Sequence, residues 1–258
     1  MKYIDVHCHL DGRHFDDLDE LFARLEKCGV EKVITCGVDL PTSLAVKEIA
    51  ERYKGCYFTA GFHPTELRDY KEGDLEKIAE LARHEKCVAI GEIGLDYHYP
   101  DTDKPLQKEV FIAQLKLANE LGLPVEIHSR NSAEDMFEIL RANLPLLNNG
   151  FLLHCYSHSV ELATELEKAG AYFSFGGTST YSGSKKARRC IATLGLDRLL
   201  TETDSPYMPP VSKQGLFPNT PESIPEILQG FAALHGVDEG FCADKVWSNA
   251  HILFKKLN

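Results

Sequence analysis

Along nearly the whole chain, short apolar runs alternate with longer stretches whose apolar residues recur at helical spacing. The runs at 3–9, 32–38, 57–63, 88–94, 124–128, 150–154, 172–177 and 198–204 have strand length. Between them lie amphipathic segments such as LDELFARLEKCG (18–29) and VFIAQLKLANELG (110–122). Gly29, Gly122, Gly170 and Gly195 each precede a predicted strand, where a helix would end on a left-handed cap. The tail GFCADKVWSNAHILFKKL (240–257) predicts a last helix packed on the outside. Near-continuous apolar strands suit a parallel sheet covered on both faces. Eight strands, each followed by a helix, match the count of a (β/α)8 TIM barrel, a single domain over residues 1–258. A doubly wound open sheet shows the same alternation, so strand number alone leaves closure open.

Polar residues interrupt these runs at one end. The first strand ends in His7 and His9, the third in His63, the fourth in Glu92, the fifth in His128, the sixth in His154 and the eighth in Asp204. In a parallel barrel the C-terminal strand ends form the reactive face. Alternation along a strand turns His7 and His9 to the same side and Val6 and Cys8 away. Taken singly, each residue reads as a hydrogen-bonded imidazole or an ordinary ion-pair acid. Together they are costly to bury unless paired or metallated, and neutral imidazole is a good ligand for a divalent cation. Four imidazoles and two carboxylates exceed the three protein ligands of a single catalytic zinc. Two ions are therefore expected: His7, His9 and Asp204 hold one, His128 and His154 the other, and Glu92 bridges them. The donor mix suits Zn, Mn or Fe, with weaker Mg occupancy. Two ions about 3.5–4 Å apart can clamp the attacking and leaving oxygens of a displacement and bring the pKa of a bound water toward about 7.

Composition narrows the picture. The 43% hydrophobic and 26% charged residues describe an ordinary globular chain. No apolar run reaches the roughly 18–20 residues of a membrane span, and nothing near Met1 resembles a leader, so a cytoplasmic protein is expected. The eight cysteines include no C-x-x-C pair, and reduced thiols are expected rather than disulfides or a cysteine zinc site. A net charge of −11 is not the basic footprint of a protein that holds nucleic acid by phosphate neutralisation alone. An anionic substrate would need local positive charge, which bound cations supply. There is no Walker loop and no G-x-G-x-x-G, and GGTSTYSGS (176–184) reads as a flexible loop.

The stretches IDVHCHL (4–10), GFHP (61–64), AIGEIGLDY (89–97), IHSR (127–130), LHCYS (153–157), SFGG (174–177) and LLTETDSPY (199–207) resemble the TatD family of metal-dependent hydrolases and deoxyribonucleases, within the amidohydrolase superfamily. The resemblance implies a TIM barrel and metal ligands at the six positions above. It also implies ions that activate a water for attack on a phosphodiester, as in members that degrade DNA from its 3′ end. Asp204 would accept the water's proton as well as hold metal. His63 would contact substrate phosphate, and Arg130 could reach an anionic oxygen. Glu92 stands where many binuclear amidohydrolases carry a carboxylated lysine, in agreement with the TatD pattern. Two places depart from it. The loop MPPVSKQGLFPNTPESIPEI (208–227) keeps Asn219 and Pro221 but has Pro218 where an arginine is usual. Tyr156 and His158 stand where Phe and Gly are common. Tyr156, Phe217 and Asn219 remain candidate substrate contacts, the two aromatics by stacking on a base. The leading expectation is a binuclear phosphodiesterase of 3′–5′ exonuclease type that binds DNA and no membrane. Hydrolysis of esters, amides or lactones, D-aminoacyl-tRNA included, is the alternative, and a non-catalytic metal-binding protein the third. Oligomeric state is left open.

Overall fold

The computed structural model describes residues 1–257. Its sheet runs in strict chain order through β1 (Tyr3–Cys8), β2 (Val30–Cys36), β3 (Cys56–Ala60), β4 (Cys87–Asp96), β5 (Val125–Arg130), β6 (Phe151–Leu153), β7 (Tyr172–Phe175) and β8 (Leu199–Thr201). Every neighbouring pair is parallel. The crossovers carry α1 (Leu18–Cys28), α2 (Leu40–Arg52), α3 (Asp74–Ala82), α4 (Lys104–Leu121), α5 (Ala133–Ala142), α6 (Val160–Lys168) and α7 (Lys185–Thr193). After β8 come α8 (Ile224–His235) and α9 (Glu239–Leu253), the predicted outer helix. A doubly wound sheet would reverse its strand order midway. This one does not, and it forms a single, nearly closed (β/α)8 TIM barrel.

The seam between β8 and β1 is stitched by polar groups. Asp5 is fully buried, and its carboxyl accepts from the backbone N–H and hydroxyl of Thr203. The Thr201 hydroxyl donates to the Ile4 carbonyl (3.1 Å), and Asp204 N–H donates to the His7 carbonyl (3.0 Å). These bonds bring the two ends of the chain's strand order together and carry Asp204 to the mouth of β1.

Local signals account for the helix boundaries. Asp17 caps α1 through Glu20 N–H, and Asp39 with Thr42 forms a capping box on α2. Gly29 and Gly122 end α1 and α4 in the left-handed conformation, at φ 82° and 67°. Gly195 does not behave as expected. Its φ is −64°, because α7 ends on extended Leu194 and the chain enters a short 3-10 turn at Leu196–Arg198 before β8. No helix among the described residues is long and apolar enough to cross a membrane.

Candidate metal centre

Two strand irregularities aim the central side chains. Pairing of β1 with β2 slips between Asp5 and Cys8, around His7, and pairing of β4 with β5 slips between Ile90 and Ile93, around Glu92. Bulges of this kind re-aim side chains beside active sites. Gly94 permits the close approach of β4 to β5, since a Cβ there would stand 2.0 Å from the His128 carbonyl oxygen. Cys155 and Asp204, next to or within the cluster, both take positive φ (43° and 50°), the kind of local backbone strain that collects at functional sites.

The expected ligand positions converge. His7 Nε2 and His9 Nε2 lie 3.1 Å apart, with Asp204 Oδ1 at 3.6 and 3.4 Å and Glu92 Oε2 at 3.7 Å from each. Zinc–nitrogen bonds of 2.0–2.1 Å in a tetrahedron imply donor–donor edges of about 3.3–3.4 Å. The five separations, 3.1–3.7 Å, bracket that figure. The other Glu92 oxygen, Oε1, faces His154 Nε2 (2.7 Å) and His128 Nδ1 (2.9 Å), which are 3.2 Å from one another. One carboxylate thus offers an oxygen to each group. His63 Nε2 is 3.4 Å from the same Oε1.

Outward hydrogen bonds fix the tautomers. His7 Nδ1 donates to Glu126 Oε1 (2.8 Å), His9 Nδ1 to the Cys36 carbonyl (3.2 Å) and His128 Nε2 to Asp96 Oδ2 (3.0 Å). With those protons turned outward, neutral rings at His7 and His9 would face each other with bare lone pairs. Metal-free, His7 keeps a second proton instead, because burial is outweighed by Cys36, Glu126, Glu92 and Asp204, which hold its pKa well above the usual histidine range. A cation between the two neutral rings removes the repulsion, so the donor set fits a divalent metal. Burial alone would raise the Glu92 carboxyl, but His154, His63 and His7 hold it well below the usual carboxylate range. Burial opposes ionisation of Asp204 too, and His7 and His9 again lower it. His63 differs. Burial lowers its pKa, so the ring is neutral, and its Nδ1 lies against Thr65 N–H (3.2 Å) and the Thr65 hydroxyl (2.7 Å). Its Nε2 turns toward Glu92 at the cavity wall.

The family model described as TatD related DNase matches residues 4–255. The chain belongs to the TatD family. YabD of Bacillus subtilis, an uncharacterized metal-dependent hydrolase, is 38% identical over 97% of this chain and 98% of its own. The 3′–5′ ssDNA/RNA exonuclease TatD of Shigella flexneri is 31% identical over 97% and 98%. The crystal structure of YjjV, a TatD homolog from Escherichia coli, superposes with a TM-score of 0.93 at 33% identity and 98% coverage of both chains. This is a TatD-family metal-dependent hydrolase.

Other residues of this TatD barrel fall into place around the cluster. A cavity of about 940 Å³ opens over it, lined by His9, His63, Glu92, His128, His154 and Asp204 among others. Arg130 is exposed on its wall and makes no side-chain ion pair or hydrogen bond among the described residues. Tyr156 also lines it but is only 4% exposed: its ring packs on Phe173 and Phe175, and its hydroxyl donates to the Ser159 carbonyl. No ring face is left for a base. Asn219 is not brought to the cavity. It is 1% exposed, its amide N–H groups donate to the carbonyls of Thr203 and Tyr207, and its oxygen accepts from Ser223. The substrate contact expected of Asn219 gives way to a role in tying down the 207–223 loop.

Three buried acids escaped the sequence reading. Glu126 holds His7 and also accepts from the Cys36 thiol (3.3 Å), whose pKa burial pushes far up. Asp96 holds His128. Glu202 lies 3.7 Å from His154 Nδ1 and accepts from the Ser174 hydroxyl (2.6 Å). Glu126 and Glu202 each sit two residues before an expected ligand, His128 and Asp204, and Asp96 lies within the GEIGLDY stretch. Strand alternation was the available signal.

Proposed function

We propose that this chain is a binuclear phosphodiesterase acting as a 3′–5′ exonuclease on DNA or a related single strand. The observation that carries the reading is the Glu92 carboxylate, with one oxygen toward His7 and His9, which Asp204 also faces, and the other toward His128 and His154. Those residues would hold two divalent ions, drawn from Zn, Mn, Mg or Fe. When bound, the ions supply Lewis-acid polarisation of a phosphoryl oxygen and a more acidic water. Asp204, kept ionised by His7 and His9, accepts the proton of the attacking water. His63 donates from Nε2 to a phosphate oxygen, and Arg130 neutralises the charge that develops beside it. The name of the Shigella relative, a 3′–5′ ssDNA/RNA exonuclease, supports the choice of a phosphodiester.

The test is metal analysis followed by digestion of end-labelled single-stranded DNA with added Mg²⁺, Mn²⁺ or Zn²⁺. Two ions per chain and stepwise shortening from the 3′ end are expected. Absence of shortening with every ion, alongside turnover of simple esters, amides, lactones or D-aminoacyl-tRNA, would overturn the phosphodiester reading.

A further inference from the structure

Exposed large apolar side chains are scattered over most of the surface, with one exception. Tyr207 (50% exposed), Val211, Leu216 and Phe217 (62% exposed) all belong to the loop between β8 and α8. Leaving such side chains in water forgoes the stabilisation of burying them, and a grouped apolar patch marks a contact surface. His14, from the loop after β1, joins this group. Its ring meets Phe217 edge-on with centroids 5.5 Å apart and Tyr207 at 6.1 Å, and Tyr207 and Phe217 are 6.4 Å apart. Three aromatic rings therefore meet at the barrel mouth.

The patch is continuous with the metal centre. His14 and Tyr207 line the same cavity as Asp204, and Tyr207 N–H donates to the Asp204 carbonyl (2.9 Å). Arg130 and Lys186, which make no ion pair among the described residues, line that cavity too, together with Arg13, which pairs with Asp11, and the acids Asp39 and Glu66. Cations beside exposed aromatic faces are what a single-stranded nucleic acid requires: charge for its backbone and π-faces for its unstacked bases. An apolar partner would have no use for those cations.

We propose that His14, Tyr207 and Phe217 form a stacking platform for a nucleobase of a single strand whose scissile phosphate lies at the metal centre. The proposal rests on the phosphodiesterase reading and names what that site would recognise beyond the phosphate. Stacking needs no particular base and no 2′-hydroxyl, so DNA and RNA strands serve alike.

The metal-loaded enzyme is tested on an oligothymidylate and on an abasic chain of equal length. The expected wild-type KM is about fivefold or more lower for the oligothymidylate. In Phe217→Ala and Tyr207→Ala that ratio falls toward one while kcat changes little, and Phe217→Tyr restores it. Equal wild-type KM values for the two chains, or an unchanged ratio in both alanine variants, would overturn the platform. Fluorescence anisotropy of the same labelled chains separates this from failure of the parent reading. Tighter binding of the oligothymidylate without cleavage of either chain would sink the hydrolysis and support the platform, and equal binding would sink the platform itself.

Discussion

On one side of Glu92 the imidazoles come from a single strand, His7 and His9, and both outward nitrogens are hydrogen-bonded, to Glu126 and to the Cys36 carbonyl. Asp204 adds a second carboxylate there. On the other side His128 and His154 come from neighbouring strand ends, and only His128 is pinned, by Asp96. His154 Nδ1 is buried without a hydrogen-bond partner, and the nearest acid, Glu202, stands 3.7 Å away. Two anionic oxygens against one, and two fixed rings against one, imply unequal affinities. The His7 side should hold its ion tightly, and the His128 side should exchange.

Removing the shared oxygen donor abolishes the contrast. Glu92→Ala should lose both ions and at least about 10³-fold in kcat/KM, measured by elemental analysis and steady-state kinetics. Retention of one full equivalent would show that Glu92 does not bridge. Asp204→Asn attacks one side only. It should cost about 10²–10⁴-fold in activity through the lost proton acceptor, and weaken one ion while the other stays. A gentler pair of substitutions sharpens the comparison. Glu126→Gln should weaken the His7-side ion, and Asp96→Asn the His128-side ion, each by about 10–100-fold and each without affecting the other, as read by competitive metal titration.

How far the sequence discloses this contrast depends on which residues carry it. Strand alternation is local, so the His7–His9 pair is legible from two positions in one strand. The His128–His154 pair becomes legible only once both residues are set at the ends of adjacent parallel strands, which barrel topology supplies. The outward acids are harder. Glu126 looks like any charge within a strand until burial shows it facing His7, although its even offset from His128 was a usable sign. Loop residues are least legible, because tertiary packing decides which way they turn. Tyr156, after β6, turns its ring into Phe173 and Phe175, whereas Phe217, after β8, turns its ring to solvent.

The smallest expected effect is the most discriminating. Burial and nearby His7 oppose charge on His154, yet Glu92 and Glu202 retain its proton and push its pKa up to about 10. That value lies above the unfolded one of about 6.5, so the proton's contribution to metal-free stability is complete below about pH 6.5 and is lost as pH rises through about 10. Metal binding has the opposite sign. The ion needs the neutral ring, so it expels a proton, and its apparent affinity should climb about tenfold per pH unit up to that pKa. Glu202→Gln removes an anion that holds the competing proton, but it also removes one that makes His154 a better donor. The two consequences oppose each other. At pH 7.5 affinity should therefore shift by no more than about threefold, while calorimetry in buffers of different ionisation enthalpy records fewer protons released and a flatter pH dependence. A loss as large as that of Asp96→Asn would mean that Glu202 grips His154 as firmly as Asp96 grips His128, and the asymmetry between the two halves would disappear.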